Sequence, residues 1–126
     1  MKQEFFDLEI LTNGQKLYDF TSKTNKWIKE KNLNNGILNL SILHTSASLI
    51  VQENADPDVK IDLLNFFDKL VPMNNKLYIH NTEGKDDMPA HIKSSLTNNQ
   101  ISLSIKNKEL LLGTWQGIYL FEHRIE

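Results

Sequence analysis

The side chains best suited to chemistry in this sequence are four histidines, and all of them fall inside three short segments. These segments span residues 44–59, 80–91 and 112–124, and they also carry several acidic residues. Imidazole and carboxylate groups bind borderline metals and transfer protons near neutral pH. Outside the three segments the chain has no histidine, so these are the places where we look for function.

In the segment 80–91, two histidines stand eleven positions apart, with several acids between them. The spacing of His80 and His91 matches no short zinc motif, so as a metal pattern it is weak. The sequence from Asp87 to Pro89 is typical of a helix start, which would project His91 from the first turn. His80, at the end of a short strand, would then face it across a loop. We expect a functional pair here; the alternative is capping and surface histidines.

The segment 44–59 contains an acidic helix start. Asp56 precedes a proline, as an N-cap does, and Asp58 follows in the first turn. Both acids are equally consistent with stabilising the helix terminus. The functional interpretation is that Glu53, Asn54, Asp56 and Asp58 supply oxygen atoms to a hard cation or to a polar substrate.

In the segment 112–124, two glycines bracket a bulky aromatic residue. This arrangement indicates a bend or bulge that re-aims Trp115 or Gln116, and a core tryptophan with structural glycines is the alternative. Arg124 is the only arginine of the chain. It is therefore the one guanidinium that could clamp a phosphate through two hydrogen bonds.

The elements expected to position these residues are mixed, with mostly antiparallel strands, as in an α+β fold. The hydrophobic pattern predicts helices over 15–31, from Asp56 to Pro72 and from Asp87 onward. It predicts strands over residues 5–11, 37–43, 48–52, 77–80, 100–105, 109–112 and 118–125, with a hairpin turn at Asn107-Lys108. Strand periodicity places His44 on the inward face. His123 lies beside Tyr119 and Phe121 and is interpreted as packed.

The bulk composition is that of one globular domain over residues 1–126. The hydrophobic fraction is 40%, the formal net charge is −2 and there is no cysteine, which excludes disulfides and thiolate metal sites. Basic residues are dispersed, so we expect no nucleic-acid surface. No apolar run reaches the length of a membrane span, and the first residues contain acids where a signal peptide needs an apolar stretch. A cytoplasmic location is the expectation.

Taken together, three stretches resemble the YjbQ family, whose members are described as secondary thiamine-phosphate synthases. They are HTSASLIVQENADPDV, H-x-x-EG-x-x-DMPAHIK and LGTWQGIYLFEHR. The resemblance implies a compact α+β sandwich of mostly antiparallel sheets with about three helices, assembled as a homotrimer. It also implies that His44, His80, His91 and the nearby acids share a pocket near the subunit interface.

The reaction implied by this resemblance joins hydroxymethylpyrimidine diphosphate to a thiazole phosphate and releases pyrophosphate. It would need a divalent metal, zinc or magnesium, or other groups that neutralise the departing charge. The residue roles that follow are catalytic for His44, His80, His91 and Glu83, substrate-binding for Asn54, Trp115, Gln116 and Arg124, and metal-binding for His80, His91, Asp87, Asp56 and Asp58. The alternative is a metal- or anion-binding trimer without turnover.

Overall fold

A computed structural model describes residues 1–125 as six strands, three α-helices and a short 3-10 helix. The strands are β1 (Lys16–Asp19), β2 (Gly36–Ser41), β3 (Ala47–Glu53), β4 (Gln100–Lys106), β5 (Glu109–Leu110) and β6 (Gln116–Glu122). The helices are α1 (Thr21–Glu30), α2 (Pro57–Leu70) and α3 (Asp87–Leu96), with the 3-10 helix over Asn75–Leu77. Over these residues, no helix combines the length and apolar character that crossing a bilayer requires.

The strands form two antiparallel sheets of three strands each, in the orders β1-β6-β3 and β2-β4-β5. In the first sheet, Ala47 of β3 pairs with Glu122 of β6, and Glu53 pairs with Gln116 at the opposite end. In the second sheet, Asn107 and Lys108 connect β4 to β5 with φ angles of 53° and 66°. Positive φ at both central residues is what a type I′ hairpin turn requires, so the predicted hairpin is confirmed. The α+β fold expected from the sequence is also confirmed.

Strand β6 is buried on both faces, and its alternation separates two apolar clusters. Ile118 and Leu120 pack in the main core, together with residues of α1, β2 and β3. Tyr119 and Phe121 point the other way, where Leu63, Leu64 and Phe67 of α2 pack against them. The predicted position of His123 beside Phe121 is also confirmed, with ring centroids 4.2 Å apart.

Helix α2 begins and ends where the sequence predicts. The Asp56 carboxylate accepts a hydrogen bond from the backbone N–H of Asp58, and the helix ends before Pro72. Among its apolar residues, Phe66 and Leu70 are exposed, and α2 has no buried residue in the single chain. An ion pair connects this helix to α3: the fully buried Lys93 of α3 places its Nζ 2.6 Å from Oδ1 of Asp68 in α2.

The strand predicted over residues 5–11 is wrong, since this segment has no regular secondary structure. Phe6 stacks on Trp27 with ring centroids 5.4 Å apart, and Leu8 and Ile10 pack against the core. The alternating apolar residues that suggested a strand therefore attach the segment through its side chains rather than through a backbone ladder.

Two further elements differ from prediction because tertiary pairing overrides local periodicity. The helix expected over 15–31 is a strand in its first part, where Leu17 of β1 pairs with Phe121 of β6. The strand expected over 77–80 is replaced by the 3-10 helix and an irregular loop. The strands predicted over 37–43 and 48–52 are confirmed as β2 and β3.

The predicted inward orientation of His44 is wrong. Strand β2 ends at Ser41, which pairs with Gln100, the first residue of β4. The strand periodicity therefore stops before His44, and this side chain is exposed. By contrast, the packed position expected for His123 is confirmed by its complete burial.

Candidate functional site

The N-terminus of α3 and the loop before it bring together His80, Asp87 and His91, which we call the histidine cluster. Asp87 and His91 are four residues apart and so share one helix face, one turn apart. The loop turns into the helix at Gly84, whose φ of +107° is a conformation that glycine adopts without strain. Pro89 lies in the first turn, where its missing N–H leaves no hydrogen bond unmade.

Both imidazoles of the histidine cluster converge on one carboxylate oxygen. Asp87 Oδ2 lies 2.7 Å from Nε2 of His80 and 3.3 Å from Nε2 of His91. The two rings lie edge to face with centroids 5.6 Å apart. Among residues 1–125, these three are the group of histidines and acids whose ligand atoms lie within 4.8 Å of one another. The convergence predicted for His80 and His91 across the loop is therefore present.

The backbone of the segment 44–59 sets the tautomer of one of these rings. His91 Nδ1 lies 3.0 Å from the carbonyl oxygen of Thr45. Because a carbonyl only accepts, Nδ1 carries the proton, and the neutral ring presents a lone pair at Nε2. This lone pair faces Asp87 Oδ2, which also has only lone pairs. The contact is attractive only when a proton or a metal cation lies between the two atoms.

Arg124 holds the other side of the same carboxylate. Its Nη1 donates to Asp87 Oδ1, and its Nε donates to Asp86 Oδ2 over 2.9 Å. Its Nη2 donates to the carbonyl oxygen of Glu83 at 3.0 Å. Every nitrogen of the guanidinium is thus engaged within the chain. This arrangement leaves Asp87 with one oxygen fixed by Arg124 and the other aimed at the two imidazoles.

Asp87 is 3% exposed and is nevertheless a carboxylate at neutral pH. Burial by itself would raise the pKa of Asp87, but the hydrogen bond from His80 and the charge of Arg124 outweigh it and lower the pKa. Asp86 is similar: burial opposes ionisation, and the backbone N–H of Ile125 together with Arg124 lowers its pKa. The hydrogen bond that Arg124 donates to Asp86 in turn raises the pKa of Arg124.

The donor set fits a divalent metal. Two imidazole nitrogens and a carboxylate oxygen are the ligand types of many zinc sites, in which bonds of about 2.1 Å place ligand atoms roughly 3.4 Å apart. The His91–Asp87 separation already has this length, and the His80–Asp87 hydrogen bond would lengthen slightly. The Thr45 carbonyl is the kind of outer partner that orients a ligating histidine. Sequence reasoning missed it, because a backbone carbonyl leaves no mark on residue type.

Arg124 aside, the other predicted site residues do not join the histidine cluster within one chain. Asn54 donates from its backbone N–H to the Trp115 carbonyl at 2.9 Å and from Nδ2 to the Gln116 carbonyl at 3.2 Å. This contact lies at the Glu53 end of β3, whereas Thr45 precedes the opposite end. Seven strand residues at about 3.3 Å each separate the two ends by roughly 20 Å. Asp56 and Asp58, which begin α2 beside Asn54, therefore cannot share a metal with His80 in the same chain.

The bend predicted around Trp115 re-aims the tryptophan rather than the glutamine. Trp115 is 63% exposed, so it is not a core residue. The Gln116 side chain turns back, and its Oε1 accepts from the backbone N–H of Gly113 at 2.7 Å. The side chains of His44 and Glu83 are exposed near the histidine cluster but outside its ligand set. Their catalytic roles stay predictions.

A second histidine site lies at the end of α3, where Ser48 and His123 are completely buried and Thr97 is half-buried. His123 Nε2 lies 2.8 Å from Ser48 Oγ, and Thr97 Oγ1 lies 2.5 Å from the same oxygen. We call Ser48, Thr97 and His123 the buried triad. Burial, together with the charge of Lys93, lowers the pKa of His123 to about 3. The ring is therefore neutral at physiological pH.

Comparison with known proteins places the fold and these motifs in one family. Residues 6–126 match the family described as UPF0047 protein YjbQ-like. The UPF0047 protein sll1880 of Synechocystis sp. is 50% identical over 117 residues, which are 93% of this chain and 80% of that protein. A conserved hypothetical protein of Thermus thermophilus has a crystal structure that is 33% identical, with a TM-score of 0.83 over 93% of this chain and 88% of that one.

A crystal structure from Clostridium acetobutylicum, of an uncharacterised conserved protein of the yjbq/upf0047 family, gives a similar result. It is 36% identical, with a TM-score of 0.80 over 93% of this chain and 87% of that one. The family match and these relatives cover nearly the whole chain, and the solved structures share its fold. The chain therefore belongs to the YjbQ/UPF0047 family.

Proposed function

We propose that the histidine cluster binds a divalent metal ion and that this ion is part of a catalytic site. The observation that carries the proposal is the lone pair of His91 Nε2, which its Thr45 contact directs at Asp87 Oδ2 over 3.3 Å. Two imidazole ligands favour zinc or another transition metal over magnesium, which prefers oxygen ligands. The partly exposed imidazoles leave coordination positions open to water or substrate.

We propose a reaction of the thiamine-phosphate synthase type, in which a thiazole phosphate displaces pyrophosphate from hydroxymethylpyrimidine diphosphate. The resemblance of the three motifs to the YjbQ family supports this choice. When bound, a divalent metal would neutralise the charge that develops on the departing pyrophosphate. Arg124 positions Asp87 rather than contacting phosphate, because its three nitrogens are bonded to Asp86, Asp87 and the Glu83 carbonyl. With Nε2 of His80 holding the metal, the Nδ1–H of this ring at the exposed edge would remain to donate a hydrogen bond to a phosphate oxygen of the substrate.

A second candidate function is metal binding without turnover, and the position of Arg124 favours it. Diphosphate enzymes need several positive groups to stabilise the leaving group. The guanidinium of this chain is already neutralised by two carboxylates. In this alternative, the histidine cluster stores or senses a metal, and small phosphorylated molecules do not react.

We also propose that the chain works as a homotrimer. Helix α2 runs for 14 residues without one buried side chain. A helix whose apolar side chains Ile61, Phe66 and Leu70 remain exposed is typical of a surface that another subunit covers.

The experiment that tests the proposed function compares three single substitutions in the purified protein. His80→Ala and His91→Ala remove ligands, and His44→Ala is the matched control because that exposed histidine lies outside the ligand set. We expect stoichiometric metal in the wild type and in His44→Ala, and its loss in the other two. Absence of metal from the wild type after dialysis against zinc would contradict the metal site.

Turnover is measured separately as pyrophosphate release from hydroxymethylpyrimidine diphosphate and thiazole phosphate. We expect release by the metal-loaded wild type and none by His80→Ala or His91→Ala. Growth of a strain that lacks thiamine-phosphate synthase gives the matching measurement in cells. Bound metal without turnover on either assay would favour the non-catalytic alternative.

A further inference from the structure

A cavity of about 390 Å³ lies between the first residues of the chain and strand β2. Residues 2–6 and Leu8 line it on one side, and residues 35–40 line it on the other. The buried core side chains Trp27 and Ile105 also line it. We call this cavity the edge slot. No residue of the histidine cluster takes part in it, so the edge slot is a separate feature of the molecule.

Backbone hydrogen-bonding groups are unpaired along both walls of the edge slot. Strand β2 is at the edge of its sheet and pairs on one side only, with β4. Among residues 1–125, no backbone–backbone hydrogen bond involves residues 2–11, which we call the N-terminal segment. The unpaired N–H and C=O groups of an edge strand are a template for another strand. The edge slot therefore has a template of this kind in one wall and a second unpaired backbone in the other.

The N-terminal segment has the side-chain pattern of a strand, although no strand pairs with it. Phe6, Leu8 and Ile10 contact core residues. The residues between them, Asp7 and Glu9, are exposed. This period of two is that of a half-buried strand. A strand placed between the N-terminal segment and β2 would provide the missing backbone ladder.

The lining of the edge slot also includes a side chain with an unpaired polar group. Trp27 is 8% exposed, and its indole N–H has no acceptor among residues 1–125. Buried donors that lack an acceptor are rare in folded proteins and need an explanation. The backbone carbonyls of an added strand are acceptors of the kind that this donor lacks. A purely apolar ligand would leave the donor unpaired.

The charges beside the edge slot favour one kind of strand. Asp7 and Glu9 lie on the outward face of the N-terminal segment, and the outward residues of β2 carry no charge. The one lysine in the lining, Lys2, has the Glu4 carboxylate 4.0 Å from its Nζ. Opposite charges on neighbouring strands stabilise a sheet, and like charges destabilise it. A complementary strand therefore carries Lys or Arg on its outward face and apolar residues on its inward face.

We propose that the edge slot binds an extended segment of a partner polypeptide in which apolar residues alternate with Lys or Arg. The bound segment pairs with β2 on one side and with the N-terminal segment on the other. Main-chain hydrogen bonds then supply affinity, and the alternating side chains supply specificity. Because β2 has six residues, the bound stretch is about six residues long and spans roughly 20 Å. The interaction does not depend on the proposed metal site.

A synthetic peptide, Lys-Val-Lys-Val-Lys-Val with both ends blocked, tests the proposal. The chain has two tryptophans, so in the variant Trp115→Phe the fluorescence reports on Trp27 alone. We expect a saturable change with this peptide. We expect a much weaker one with Glu-Val-Glu-Val-Glu-Val, and with a peptide whose central valine is replaced by proline, which lacks an N–H donor. Absence of binding at about 1 mM of the first peptide would overturn the proposal.

The charge complementarity is tested by removing the two acids of the N-terminal segment. The double variant Asp7→Asn, Glu9→Gln should bind the Lys-Val peptide about fivefold more weakly, because two cross-strand charge pairs are lost. The matched control is Asp62→Lys, which makes the same change in net charge at an exposed position of α2. This variant should bind as the wild type does. Equal weakening in both would mean attraction by net charge alone and would contradict the proposal.

Hydrogen exchange of the wild type locates the bound peptide. Pairing on both sides should slow amide exchange in residues 36–41 and in the N-terminal segment, and should leave α2 unchanged. A fluorescence response without protection of both walls would place the peptide outside the edge slot and overturn the proposal. Binding of anilinonaphthalene sulfonate to Trp27, with no response to the Lys-Val peptide, would identify a small-molecule cavity and overturn it as well.

Discussion

The histidine cluster and the buried triad use the same elements and have opposite properties. Asp87 and His91 lie at the start of α3, and Thr97 follows its last residue. Arg124 joins the first group, while its neighbour His123 joins the second. The first group is open to solvent and centred on a carboxylate, so its imidazoles can take up a cation. The second is closed and centred on a hydroxyl, and burial together with the charge of Lys93 keeps its imidazole neutral. Environment, rather than residue type, separates a binding histidine from a structural one.

The largest effect that we expect from this contrast is on stability. His123→Ala leaves a cavity and removes the partner of the buried Ser48 hydroxyl, so the free energy of unfolding should fall by about 3 kcal/mol. Urea unfolding of wild type and variant measures the difference. Metal content should stay unchanged. A folded variant that loses its metal would show that the two sites are not independent.

The next largest effect is expected in the way the free energy of unfolding depends on pH. The pKa of His123 is lowered to about 3 in the folded chain, from an ordinary value of 6.5. The unfolded chain therefore binds one more proton between these values, so stability is complete above pH 6.5 and declines as the pH falls toward 3. Through His123 alone, the free energy of unfolding changes by up to about 1.4 kcal/mol per pH unit. Urea unfolding at several pH values should show a smaller slope for His123→Gln. His44→Gln, at an exposed position, should keep the wild-type slope.

A smaller effect, on metal affinity, is expected when the contact between Arg124 and the histidine cluster is changed. Arg124→Lys keeps the positive charge but replaces the planar guanidinium, which donates to Asp86 and Asp87 from different nitrogens, with a single nitrogen, so Asp87 loses its fixed orientation. We expect metal affinity to fall about 10-fold, which is the lower range for loss of an outer-sphere contact. Calorimetric titration with zinc measures it. Unchanged affinity would mean that the helix alone positions Asp87.

The smallest effect is expected at His44. Its side chain is exposed, so His44→Ala should change the free energy of unfolding by less than about 0.5 kcal/mol. The same urea experiment measures this. A larger loss would indicate that His44 is covered in the assembled protein, which would favour an interface on this side of the histidine cluster.

Local sequence signals predicted the parts of the structure that depend on local chemistry. The Asp56-Pro57 helix start, the hairpin at Asn107-Lys108 and the convergence of His91 on Asp87 follow from caps, turns and helical spacing. Features that depend on distant pairing were not predictable. The end of β2, and with it the direction of His44, depends on where β4 begins. The Thr45 carbonyl that orients His91 has no side-chain signature.

The division of the motifs was the largest departure from the sequence-based picture. Three segments with similar residue types suggested one pocket. The antiparallel register of β3 and β6 carries Asn54 and Trp115 to one end of the sheet and Thr45 and Arg124 to the other. Similar residue types in separate segments suggest a common role, but they do not show that the segments meet in one pocket.

The buried ammonium of Lys93 makes the docking of α2 measurable by chemical labelling. The Lys93 side chain is inaccessible, and its contact with Asp68 crosses from α3 to the α2 surface. Amine-acylating reagents can therefore modify Lys93 only in molecules whose α2 has opened, whereas exposed lysines such as Lys26 react immediately. The acylation rate of Lys93, followed by peptide mass spectrometry, would measure how often that local opening occurs.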